Sequence, residues 1–205
     1  PMISNNQRYV ISYNGEIYNY KELRIQLESL GCFFRGKSDT EVVLNAIDIW
    51  GVNAIEKFNG MFAFAVWDRK EKELILVRDR YGIKPLYFYK NENIFLFGSE
   101  QKAITANNLF TKELNKKALL EYFTFQNIFT NMTLIKGIKV LPSGHFLKIK
   151  KDNNWEINTF KYWDYKFQSP KSNKKDQEYI EELDRLFQQA VNRQLVSDVE
   201  IGCYL

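Results

Sequence analysis

Hydrophobic and polar positions alternate near the start of the chain: Tyr9-Val10-Ile11-Ser12-Tyr13 has the period of two that predicts a β-strand. After Asn14-Gly15-Glu16-Ile17-Tyr18-Asn19 the period lengthens, and residues 20–30 predict an amphipathic helix. A second helix is predicted over 42–50, opened by Ser38-Asp39-Thr40-Glu41. Ser38 and Glu41 have capping-box spacing, and Asp39 falls in the first turn, where a carboxylate complements the helix dipole.

Four apolar runs follow, at 61–68, 74–78, 86–89 and 94–97, separated by polar turns such as Arg69-Lys70-Glu71-Lys72. They predict an antiparallel meander, and because several are apolar on both faces the sheet must be covered on both sides. Short helices are predicted at 101–106 and 116–123, then a hairpin-like stretch over 139–149 turning at Pro142-Ser143-Gly144. Residues 150–175 are polar and irregular around Trp155, Tyr162 and Trp163, the composition of a linker packed on a domain surface. From Asp176, the spacing of Tyr179, Leu183, Leu186, Phe187, Ala190, Val191 and Leu195 predicts one more helix. The chain thus divides into a domain over 1–150, a linker over 151–175 and the beginning of a second domain over 176–205.

Composition narrows the class. At 205 residues and 45% hydrophobic, the chain can bury a substantial core without disulfides or metal. Cys32 and Cys203 form no CxxC pair, so neither a zinc site nor a disulfide framework is indicated, and a reducing cytoplasm fits. No apolar run approaches the roughly 20 residues of a membrane helix, and no signal peptide opens the chain. The net charge of +4 is spread over solvated faces, with small clusters at Lys148, Lys150, Lys151 and at Lys171, Lys174, Lys175, so no nucleic-acid partner is expected.

The chemistry concentrates at Asn14-Gly15. A strand ending there brings a side-chain amide and an unshielded backbone N–H to one point, and two such donors can hold a developing oxyanion. Asn-Gly is also the commonest hairpin turn, but a helix follows it here, not a second strand. Cys32, in Gly31-Cys32-Phe33-Phe34, reads as a small buried hydrophobe after a helix C-cap rather than a nucleophile. Arg78, Asp79, Arg80 and Lys84 read as a structural ion-pair and turn cluster, and His145 as a hydrogen-bonded turn residue.

Asn14-Gly15-Glu16-Ile17-Tyr18-Asn19, Ser38-Asp39-Thr40-Glu41, Phe58-Asn59-Gly60-Met61-Phe62-Ala63-Phe64 and Arg78-Asp79-Arg80-Tyr81-Gly82-Ile83-Lys84-Pro85-Leu86-Tyr87 occur in that order. With Leu141-Pro142-Ser143-Gly144-His145, Tyr162-Trp163-Asp164 and the final 197–205, they resemble the glutamine-hydrolysing asparagine synthetases, whose N-terminal half is a class II glutaminase.

The resemblance implies an α+β, four-layer αββα sandwich of the N-terminal-nucleophile type, built of two antiparallel sheets, followed by the start of an α/β synthetase domain. It implies that Asn14 and Gly15 form an oxyanion hole, and that Asn14, Gly15, Glu16 and Asp39 bind glutamine, with Asp39 on its α-ammonium. Leu205 would touch ATP. ATP and Mg2+ would serve the intact enzyme, with neither held by these 205 residues alone. The other partners implied are glutamine and aspartate, and a homodimer is admitted. The family's N-terminal nucleophilic cysteine and its carboxylate-binding arginine are not among the residues here, so the chain is read as an internal piece, inactive alone. Two readings stay open beside asparagine synthesis: an amidotransferase acting on another carboxylate, and a non-catalytic amino-acid-binding module.

Overall fold

A computed structural model describes residues 1–152, 154–167, 175–196, 200 and 202, in two units, Pro1–Asp164 and Tyr165–Leu205. In the first unit the elements run β1 (Met2–Ile3), β2 (Tyr9–Ile17), α1 (Tyr20–Ser29), α2 (Asp39–Trp50), α3 (Ala54–Lys57), β3 (Gly60–Asp68) and β4 (Glu73–Arg78). They continue with β5 (Tyr87–Lys90), β6 (Phe95–Gly98), α4 (Gln101–Thr105), α5 (Lys116–Phe125), β7 (Lys139–Val140), β8 (His145–Lys151) and β9 (Trp155–Lys161). The second unit holds α6 (Asp176–Gln194), the helix expected from its apolar spacing, and the helix buries none of its residues. Of the final stretch, 197–205, only Glu200 and Gly202 are among the described residues, and Cys203 lies outside them. Among the described residues no helix is long and apolar enough to cross a membrane.

Two antiparallel sheets form, a six-stranded one ordered β1-β2-β3-β4-β8-β9 and a three-stranded one ordered β6-β5-β7. The alternation of side chains along each strand sorts the apolar residues into three cores. Phe62, Phe64 and Val66 of β3 and Ile75 and Val77 of β4 pack with Leu23 and Leu27 of α1 and Val42, Val43 and Ile47 of α2. From the opposite faces, Ala63, Ala65, Leu76, Leu147 and Ile149 meet Leu86, Phe88 and Phe95 between the sheets. Beyond the small sheet, Tyr87, Tyr89 and Leu96 pack with Ile104 of α4, Phe110 and Ile138. Helices, sheet, sheet, helix: the three cores define the expected four layers.

Several local expectations need correction. The four apolar runs do not make one meander, because β3 and β4 belong to the large sheet and β5 and β6 to the small one. The crossing between them is built on Asp79 and Arg78. Asp79 is 1% exposed and accepts the N–H groups of Phe62, Tyr81, Ile83 and Lys84 at 3.0–3.2 Å. The Arg78 guanidinium donates to the carbonyls of Lys84, Leu141 and Gly82, and Arg80 to those of Phe58 and Glu56. The cluster therefore shapes the turn through charge-to-backbone bonds in place of the expected ion pairs.

Residues 139–149 likewise do not form a hairpin: β7 pairs with β5 and β8 with β4, so the turn at Gly144 carries the chain from one sheet to the other. Gly144 has φ +67°, and an added Cβ there would lie 2.7 Å from the Trp163 carbonyl oxygen. Part of the predicted linker is strand, since β9 pairs with β8 over its whole length. Finally, the capping box is half realised. Ser38 Oγ accepts the Glu41 N–H at 3.4 Å, but the Glu41 carboxylate turns to the N–H groups of Arg35 and Gly36, at 2.7 and 2.8 Å.

Candidate active site

Strand β2 does not end at Asn14-Gly15 as its sequence pattern predicts; it runs on to Ile17, with Asn14, Gly15 and Glu16 opposite Ala63, Phe62 and Met61 of β3. On its other side β1 pairs only with Val10 and Ile11, so among the described residues no strand covers the edge of β2 over 12–17. Antiparallel pairing alternates, with one residue bonding towards its partner strand and the next away from it. The Tyr18 N–H donates to the Asn59 carbonyl on the β3 side, whereas the Ile17 N–H donates outward to Asp39 Oδ2 at 3.0 Å. By the same alternation the Gly15 N–H points to the uncovered edge.

Close packing requires glycine at this position. A Cβ on Gly15 would press on the Met61 carbonyl oxygen and sit 2.6 Å from Phe62 Cα. Phe62 is itself held by the Asp79 carboxylate, which accepts its N–H at 3.2 Å. The buried carboxylate thus fixes the strand that Gly15 leans on.

Side chains leave β2 on opposite faces. Asn14 and Ser12 face a cavity of about 280 Å³ whose other lining residues include Ala63, Ala65, Leu86, Phe97 and Ser99. There Asn14 Nδ2 donates to Ser99 Oγ at 3.3 Å, which leaves its second hydrogen for a ligand. Glu16, half-buried, shares that face. Tyr13 turns the other way, packs against the helical core and donates from its hydroxyl to Asp39 Oδ2 at 2.7 Å. Asp39, on the first turn of α2, is therefore tied to β2 twice, through Tyr13 and through Ile17. The structure brings Asp39 to the strand that carries Asn14, Gly15 and Glu16, with the uncovered edge between the two faces. An edge with an outward N–H, a nearby carboxamide and a carboxylate can recognise an amide oxygen and an ammonium.

Residues 1–163 match the glutamine amidotransferase domain family. The chain belongs to this family. Asparagine synthetase (glutamine-hydrolyzing) 3 of Bacillus subtilis is 40% identical to it over 96% of the chain and 31% of that relative. The putative asparagine synthetase (glutamine-hydrolyzing) 2 of Methanocaldococcus jannaschii is 36% identical over 96% of the chain and 37% of its own length. The chain therefore spans about a third of the length of these relatives. Glutamine phosphoribosylpyrophosphate amidotransferase from B. subtilis, solved with ADP and GMP, superposes with a TM-score of 0.52 at 21% identity, over 77% of this chain and 30% of that one. That likeness is one of fold, the N-terminal-nucleophile sandwich.

Elsewhere in the amidotransferase domain, Cys32 follows α1, packs at the rim of the helical core and has its thiol pushed up by burial and by the charge of Asp48. A thiol held protonated is no nucleophile. His145 Nδ1 lies 2.7 Å from the Ser143 carbonyl oxygen, which can only accept, so this nitrogen carries the proton and the ring braces its own turn. Among the described residues no group of three or more His, Cys, Asp or Glu could hold a metal ion. Leu205 lies outside the described residues.

Two site residues are not singled out by sequence, Tyr13 and Ser99, and neither is the hold of Asp79 on Phe62. Tyr13 looked like one more strand residue, and Ser99 meets Asn14 across 85 positions of chain. The only local signal for Asp79 was its place in a charged turn motif.

Proposed function

We propose that this domain hydrolyses the side-chain amide of glutamine at the uncovered edge of β2, and that the whole protein uses the ammonia to make asparagine from aspartate and ATP. One observation supports the reading above others: the bond from the Ile17 N–H to Asp39, which joins a carboxylate to the strand edge that also carries the Gly15 N–H. Asp39 takes the α-ammonium of glutamine, since a charge-assisted hydrogen bond is about twice as strong as a neutral one. Glu16 helps hold the amino acid. The family's N-terminal cysteine thiolate adds to the amide carbon, its own α-amine serving as base. Charge then develops on the amide oxygen, where the Asn14 carboxamide and the Gly15 N–H receive it. Collapse breaks the C–N bond as the α-ammonium returns its proton to the departing nitrogen, which leaves as ammonia, and water cleaves the remaining thioester to glutamate and thiol.

In the synthetase part, which Leu205 would adjoin, the aspartate side-chain carboxylate and ATP, with Mg2+, give an aspartyl adenylate and pyrophosphate. Ammonia displaces AMP from that adenylate. The test is product analysis with the full-length protein supplied with aspartate, ATP and either glutamine or ammonium. Asparagine, AMP and pyrophosphate are expected with both nitrogen sources. Glutamate release without asparagine would move the acceptor to another carboxylate, and no glutamate release would overturn the glutaminase reading.

A further inference from the structure

Resting on that reading, we propose that Tyr13 is a positioning residue for the amino-acid subsite: its hydroxyl holds Asp39 by Oδ2 and thereby presents Oδ1 to the α-ammonium of glutamine. The two oxygens of Asp39 are bonded unequally. Oδ2 accepts two good bonds, from the Tyr13 hydroxyl at 2.7 Å and the Ile17 N–H at 3.0 Å. Among the described residues Oδ1 has only a long contact from Thr40 Oγ1, at 3.4 Å. A carboxylate offers about four lone-pair sites, so Oδ1 retains the capacity to accept an N–H of an ammonium. Rotating Asp39 would break two bonds at once, which is what fixes the direction of the remaining oxygen.

Tyr13 suits the task because its ring cannot wander. It packs on the helical core, with its ring centroid 6.3 Å from that of Phe64. Burial and the neighbouring Asp39 carboxylate push its phenol far above the ordinary tyrosine value, so the hydroxyl stays a donor at any working pH. A donor that never ionises adds no competing negative charge at the subsite. A simpler account makes the Tyr13–Asp39 bond a latch between β2 and α2, with no bearing on substrate.

Glutaminase kinetics on the full-length protein separate the two, with Tyr13→Phe, Asp39→Asn and the double variant. The probes are glutamine and 4-carbamoylbutanoate, the same amide without an α-amine. Tyr13→Phe is expected to raise the glutamine KM by about two- to 160-fold, the span of couplings between contacting residues, with kcat within about twofold. Its preference for glutamine over 4-carbamoylbutanoate should shrink by the same factor, and in the Asp39→Asn background it should add nothing. An unchanged KM and preference with a lowered Tm would leave a latch and overturn the proposal. If Asp39→Asn itself leaves the KM unchanged, the ammonium subsite fails first and the role of Tyr13 with it. Should Tyr13→Phe not fold, Tyr13→Met, which also lacks the hydroxyl, carries the same test with the same outcomes.

Discussion

Gly15 and Phe62 face each other across β2 and β3 so closely that a single methyl group on Gly15 would sit 2.6 Å from Phe62 Cα. The backbone N–H proposed to hold the oxyanion is thus positioned by contact between two main chains, with no side chain intervening. Gly15→Ala should force the strands apart, at a cost of about 1–3 kcal/mol in unfolding free energy, as overpacking typically does. Glutamine-dependent turnover should fall with it, because the N–H moves. Urea unfolding and glutaminase assays of the full-length protein check both. A variant as stable and as active as its parent would show slack that the geometry does not allow.

Asp79 sets the other half of that contact. Asp79→Ala would strip the acceptor from the N–H groups of Phe62, Tyr81, Ile83 and Lys84. A buried donor left unpaired costs about 1–3 kcal/mol; the Phe62 N–H is buried and the other three are half-buried, so a loss of about 1–3 kcal/mol or more is expected. Asp79→Asn keeps one acceptor oxygen and should fall between parent and alanine. Equal unfolding midpoints for alanine and asparagine variants would refute the accounting.

How far the sequence carried is clearest at the switch between the sheets. Strands and helices with strong periodicity, β2, α1, α2 and α6, were legible because alternation and amphipathicity are local. Which sheet a strand joins was not. Runs 74–78 and 86–89 look alike, and the bonds that help send the chain from one sheet to the other include long-range ones, from Arg78 to the Leu141 carbonyl and from the Phe62 N–H to Asp79, made across 63 and 17 residues. β9 was hidden for another reason: as an edge strand it buries little, with Trp155 and Ile157 its only half-covered apolar residues, and so it reads as linker. At the site, Asn14-Gly15 announced itself through its chemistry. Its setting did not, since the Tyr13–Asp39 bond spans 26 residues and leaves no mark in either local segment.

Asp68 provides an acid-sensitive tie at the far end of β3. Burial alone would raise its carboxyl, but the bonds from the Arg8 guanidinium and from the N–H groups of Glu71 and Lys70 outweigh burial and hold it below the ordinary aspartate range. The shortest of the Arg8 bonds is 2.6 Å. A carboxyl with a depressed folded-state pKa stabilises the fold above its unfolded value, about 3.9, and that contribution disappears as pH falls through the folded value. Asp68→Asn should therefore be less stable than the parent at pH 7, with the gap closing towards pH 3. Urea unfolding of both across that range checks the sign. Parallel curves would remove Asp68 from the acid response.

Asn14 gives the sharpest test of the site, because the two nitrogen sources separate it from the rest of the protein. Asn14→Ala removes one of the two proposed oxyanion donors together with the bond to Ser99, which at 3.3 Å on a partly exposed side chain contributes little to the fold. Loss of a single oxyanion donor lowers kcat by about 10² to 10³. Glutamine-dependent synthesis should fall by that factor, while synthesis from ammonium stays within about twofold, since ammonia bypasses amide hydrolysis. The glutamine KM should change far less than kcat, because the oxygen bears full charge only in the transition state. Ser99→Ala serves as the control, as it loses the same hydrogen bond and keeps the donor. If Ser99→Ala matched Asn14→Ala in lost turnover, the carboxamide would be acting through the cavity wall, and the oxyanion role would pass to the Gly15 N–H alone.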